Sequence, residues 1–114
     1  YQADVVWSTG LLRARQLAQM VQSAGAIFSP HTWGDGLVVL ANLQVSAAVS
    51  NAPFIEFPFD PPEWNDQRRD YIFKQPLNAE TDGWISLPNA PGMGVEVDWQ
   101  GIEKYKIATG TMQL

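Results

Sequence analysis

Apolar and polar positions follow two different grains along this chain. Residues 3–58 read as short apolar runs separated by segments of helical period. Ala3 to Trp7 is a β-prone run closed by Ser8, Thr9 and Gly10. From Leu11 to Ala24, the apolar positions Ala14, Leu17, Ala18, Val21 and Ala24 recur at helical spacing. Arg13, Arg15, Gln16, Gln19 and Gln22 fill the other face, which predicts an amphipathic helix stopping at Gly25. Ala26 to Ser29 is a second apolar run, ended by Pro30. Asp35 is placed to cap a second helix from about Gly36 to Ser50; it is apolar nearly all round and so should pack on several sides. Asn51-Ala52-Pro53 breaks it, and Pro53 to Pro58 reads as a third strand.

The pattern is β-α-β-α-β with short connections. Strands joined through helices run parallel with right-handed crossovers, and apolar helices between apolar strands suit a sheet covered by helices. The fold class is therefore α/β, and a repeat of about 25 residues suits a (β/α)-barrel or a doubly wound sheet equally. After Phe59 the grain changes. Asp60-Pro61-Pro62-Glu63-Trp64 is turn-rich, and residues 65–73 allow one or two helical turns. Trp84 to Leu87 and Val95 to Val97 read as short strands, and Gly101 to Lys106 as a final helical turn. Two prolines and two glycines between Pro88 and Gly94 exclude regular structure there. No core of its own is evident in this tail, which reads as an arm that wraps another part of a protein.

Composition narrows the function classes. Seven Lys and Arg against 12 Asp and Glu give a net charge of −5. With no basic patch and the wrong sign, nucleic acid is not an expected partner. The longest apolar stretch, Leu37 to Ala41, is far short of a membrane span. Cysteine is absent, which excludes disulfides and thiol chemistry. No leader pattern opens the chain, so a cytoplasmic location is expected. The 114 residues would by themselves suit one small domain.

Three ionisable residues fall at matching places. Asp4 lies in the first run, His31 directly follows the second, and Glu56 lies within Phe54-Ile55-Glu56-Phe57-Pro58. The steps of 27 and 25 residues are each about one βα unit, which sets the three side by side at one end of a parallel sheet. In such folds sites are built at the carboxyl ends of the strands. Each has a plainer reading. A lone histidine after proline is usually a surface or capping residue, and a glutamate at a strand end often just faces water. An unpaired buried carboxylate is costly, however, and the shared spacing favours a common site.

The segment Ser29-Pro30-His31-Thr32-Trp33-Gly34, the apolar helix after it and Phe54-Ile55-Glu56-Phe57-Pro58 resemble the last part of the barrel in the enolase superfamily. The match is to its mandelate racemase and acid-sugar dehydratase group. The tail passages Asp82-Gly83-Trp84-Ile85-Ser86-Leu87-Pro88 and Pro91-Gly92-Met93-Gly94-Val95-Glu96-Val97-Asp98 are similar to that family's closing segment. The step from Asp4 to His31 also matches the family's Asp–His dyad. The resemblance implies the C-terminal portion, about units six to eight, of a (β/α) TIM-type barrel plus a C-terminal arm. Residues 1–59 would be the βα units. Residues 60–114 would be the arm, packed on the barrel and on an N-terminal capping domain outside this chain.

By the same resemblance, the reaction removes the proton next to a substrate carboxylate. His31 would be the base, or the acid that helps water leave, and Asp4 would fix its tautomer. Glu56, in its neutral form between Phe54, Ile55 and Phe57, would donate a hydrogen bond to the substrate carboxylate. Trp33 would line the pocket; Trp7, Trp64, Trp84 and Trp99 read as structural, and Gly92-Met93-Gly94 as a turn rather than a phosphate loop. Mg²⁺ is the implied cofactor, with its carboxylate ligands and a lysine motif outside this chain. The implied activity is acid-sugar (aldonate or aldarate) dehydration by a homo-oligomeric full-length protein, acting on a small carboxylate or acid sugar. Alternatives are a racemase or epimerase of the mandelate racemase type, a non-catalytic relative, or a sugar-binding module. Two departures stand out: Thr9-Gly10 replaces the family's paired glycines after the sixth strand, and Val5-Val6-Trp7 looks like mid-strand where the resemblance puts a strand end.

Overall fold

The computed structural model describes residues 1–110, and its framework is two helices threaded between extended segments. The first helix, α1 (Gly10–Ser23), buries Ala14, Ala18 and Val21 along one stripe. The small alanines let it close onto Val5, Phe28, Ala41 and Val45, which together form the first core cluster. The second, α2 (Gly36–Ala47), starts at Asp35, whose Oδ1 accepts from the Leu37 and Val38 amides. It is packed on several sides, as its all-round apolar character predicts. Ala41 and Val45 face the first cluster, while Val39 and Leu40 face a second one with Ile72, Phe73 and Leu77.

Through that second cluster the tail packs on α2, burying Ile72, Phe73 and Leu77 against it. The tail carries two short helices, α3 (Asp66–Arg69) and α4 (Trp99–Tyr105). Close approach fixes the junction with α2: a Cβ added at Gly36 would lie 2.5 Å from both Asp70 Oδ1 and the Phe73 ring. A buried ion pair anchors α3. The Arg69 guanidinium donates to both Asp70 oxygens (2.9 and 2.6 Å), to the Pro58 carbonyl (3.1 Å) and to the Leu77 carbonyl (2.5 Å). Its Cζ also sits 4.0 Å from the centroid of the Phe57 ring.

The runs expected as strands are extended but barely paired. Tyr1 donates to the Ile27 carbonyl (2.8 Å) and accepts from the Ser29 amide (2.9 Å), the two-sided pattern of a parallel pair. Phe28 donates to the Asn51 carbonyl (2.9 Å). Pairing does not spread into ladders; Pro30 and Pro58, which close the second and third runs, have no amide with which to extend one. The runs 84–87 and 95–97, expected as short strands, reduce to isolated bridges, Ala79 with Ile85 and Phe73 with Val97.

The first run departs furthest from its expected form. Only Tyr1 to Asp4 is extended, and Val5–Thr9 coils into a π-helical turn. The reason is local: Asp4 Oδ1 accepts from the Val6 (2.7 Å) and Trp7 (2.9 Å) amides, and Ser8 donates back to the Asp4 carbonyl. The cap overrides the β preference of Val5 and Val6. Gly10, at φ 72°, lets the chain turn from this coil into α1. Among the described residues, no helix is long and apolar enough to cross a membrane.

Candidate active site

Asp4 and His31 meet, as the 27-residue spacing requires. Asp4 sits where the first extended segment becomes the coil, and His31 follows Pro30 at the end of the second. His31 Nδ1 lies 3.2 Å from Asp4 Oδ2, with the carboxylate only 6% exposed and the imidazole 51% exposed. Both Asp4 oxygens are thus engaged: Oδ1 by two amides, Oδ2 by the imidazole. A carboxylate only accepts, so the shared proton belongs on Nδ1 in the neutral ring. That leaves Nε2 with a lone pair, on an imidazole that is half exposed.

Glu56 reaches the same neighbourhood from the third segment. Its Oε2 accepts from the Thr32 amide at 2.6 Å, next in sequence to His31. The expectation of an apolar enclosure is not met on both sides. Ile55 and Phe57 pack against the second core cluster and Phe54 is exposed, so these flanks serve the core rather than the carboxylate. Trp33 stacks on Trp64, with ring centroids 6.4 Å apart and planes at 21°. The arm therefore reaches the loop that carries His31. Trp7, Trp84 and Trp99 are each more than 70% exposed on this chain, so they do not fill a core within it. Gly92-Met93-Gly94 is a turn, both glycines having positive φ, with Met93 packed against both clusters.

One residue escaped the sequence reading. Asn42 lies in the middle of α2, fully buried. Its Oδ1 accepts from the Val5 amide (3.1 Å), and its Nδ2 donates to the His31 carbonyl (3.2 Å) and the Val38 carbonyl (3.1 Å). The available signal was an amide side chain inside an otherwise apolar helix, which needs partners when buried.

The residues present do not fit a divalent metal. Among the described residues, no three His, Asp or Glu side chains gather to hold one. Asp4 and Glu56 direct oxygens at amides and at His31 instead.

Comparison with known proteins adds an independent line. The family model for enolase C-terminal domain-like proteins matches residues 1–101. The chain is 30% identical over 105 residues to the arabinonate dehydratase of Saccharolobus solfataricus, covering 92% of this chain and 26% of that protein. It is 26% identical over 110 residues to the D-galactarolactone cycloisomerase of Agrobacterium fabrum, covering 93% and 29%. Among solved structures, a mandelate racemase/muconate lactonizing enzyme from a Sulfitobacter species superposes with a TM-score of 0.77 at 25% identity. That match covers 99% of this chain and 27% of the other. The chain thus spans between a quarter and three tenths of the length of the relatives it matches.

Proposed function

The chain belongs to the enolase C-terminal domain-like family, and from that premise we propose that it supplies the proton-transfer side of an enzyme acting next to a substrate carboxylate. Acid-sugar dehydration is the favoured reaction, on substrates of the arabinonate kind. The observation that carries this reading is the His31 Nδ1 to Asp4 Oδ2 contact, a buried carboxylate aligning a half-exposed imidazole.

Asp4 holds His31 in the tautomer whose Nε2 is free, and the charged form of the ring keeps a carboxylate partner when it takes a proton. His31 Nε2 then accepts the α-proton, and the C–H electron pair moves into the substrate's carboxylate system. The same nitrogen can return its proton to the β-hydroxyl, which leaves as water. Glu56, held at the Thr32 amide beside this loop, stands at the substrate's carboxylate end, and Trp33 forms a wall of the pocket. Residues 1–59 contribute the terminal barrel units, and residues 60–114 the arm that braces them. Mg²⁺, which members of this superfamily generally use, would rest on ligands outside this chain.

The test is turnover by the full-length protein on a panel of acid sugars, D-arabinonate among them, with Mg²⁺ present and water loss followed directly. His31→Asn should abolish it; near-normal turnover in that variant sinks the assignment. A second reading, suggested by the cycloisomerase relative, is isomerisation without water loss. Exchange of the α-proton with solvent deuterium in unchanged carbon skeleton identifies it.

A further inference from the structure

Asn42 is the most informative side chain that the proposed chemistry leaves unused. It is 0% exposed, in a helix whose other buried side chains are almost all apolar. Its hydrogen bonds run to the backbone on either side of the pair: the amide of Val5, immediately after Asp4, and the carbonyl of His31 itself. A third bond, to Val38 of its own helix, fixes the amide plane. Only one orientation of the amide satisfies this set, because an N–H must meet Oδ1 and two carbonyls must meet Nδ2. Neither aspartate nor leucine, close in size, can reproduce it. Aspartate would press a carboxylate on two carbonyl oxygens, and leucine would strand the buried Val5 amide and take the donor from the half-buried His31 carbonyl.

The consequence reaches the side chains. Asp4 and His31 stand 27 residues apart and belong to segments joined by little regular pairing. The Tyr1 bonds to Ile27 and Ser29 begin the register of these segments three residues earlier, but no ladder bond carries it on to Asp4 and His31, where Asn42 is the cross-link. We propose that Asn42 is a positioning residue: a single buried amide that clamps the backbones of both members of the Asp4–His31 pair in the register that aligns Nδ1 with Oδ2. The inference rests on the reading of that pair as the proton-transfer machinery.

The test is nitrogen NMR of the full-length protein carrying ring-¹⁵N histidine, with the His31 signals assigned by their loss in His31→Asn. Asp4→Asn supplies the reference spectrum of an imidazole without its carboxylate. In Asn42→Ala, the His31 Nδ1 and Nε2 resonances should move most of the way from the wild-type positions to those of Asp4→Asn. A purely structural role would lower the melting temperature and leave these resonances in place. If Asn42→Ala does not fold, Asn42→Ser decides, since its shorter hydroxyl can bond within its own helix but cannot span to Val5 and His31. Unmoved His31 resonances in a folded variant overturn the clamp while leaving the proposed reaction standing. Near-normal turnover by His31→Asn, on an acid sugar the wild-type protein turns over, removes that reaction and the catalytic meaning of the clamp with it.

Discussion

An imidazole with Nδ1 held by an acceptor-only carboxylate has one nitrogen left for chemistry, and the His31 ring that carries it is half exposed. The division of labour predicts graded effects. His31→Asn in the full-length protein should lower turnover by about 10²–10⁴-fold or more, the range carried by a positioned acid–base group. Steady-state assay together with circular dichroism checks that the loss is chemical. Asp4→Asn should also lower turnover strongly, because an amide can present its own N–H to Nδ1 and favour the wrong tautomer. Glu56→Gln should do less, about tenfold, since a side-chain amide still reaches the Thr32 loop and can donate to a carboxylate. A Glu56→Gln variant as inactive as His31→Asn would give Glu56 a proton-transfer role instead.

Elements carry a different set of consequences. The start of α2 touches the tail at Gly36, where a new Cβ would meet Asp70 Oδ1 and the Phe73 ring at 2.5 Å. Gly36→Ala should therefore destabilise the protein despite raising helix propensity, by about 1–3 kcal/mol as overpacking does. Thermal denaturation reads the sign directly: a rise in melting temperature would show that the junction yields. Arg69 is the opposite case, a buried cation whose Nε, Nη1 and Nη2 all donate, to Asp70, Pro58 and Leu77. Arg69→Leu strands Asp70 as a buried charge, which typically costs about 3–5 kcal/mol. Urea denaturation should show that loss, with a smaller one when Asp70→Asn is combined with it.

At the scale of the whole molecule, two dependences follow. Its tail covers α2, so removing residues 60–114 from the full-length protein should expose Val39 and Leu40, both fully buried here, and give an aggregating product. Its proposed chemistry also depends on a metal that no cluster of His, Asp or Glu among the described residues can hold. Chelation should therefore abolish turnover of the full-length protein, while His31→Asn leaves Mg²⁺ affinity unchanged by calorimetry. A large drop in affinity in that variant would place the metal against His31 and revise the site.

The sequence by itself determined the helices, because their signals are local: the alanine and valine stripe of α1, the Asp35 cap, and glycines at the turns. It also determined that Asp4 and His31 should meet, through a spacing of one βα unit, and the family to which the chain belongs, through the His31 loop and the closing tail. Other features depended on where distant groups came to rest. The β-prone Val5 and Val6 coil because the Asp4 carboxylate captures the amides of Val6 and Trp7, and the expected strands stay almost unpaired, with Pro30 and Pro58 closing two of them. The tail finds its core on α2, which no periodicity within the tail could reveal. Asn42 shows the difference most clearly: its residue type announces a polar group, but only the fold brings the Val5 amide and the His31 carbonyl within its reach. Hydrogen bonds across long separations are set by packing, and packing is a property of the assembled chain.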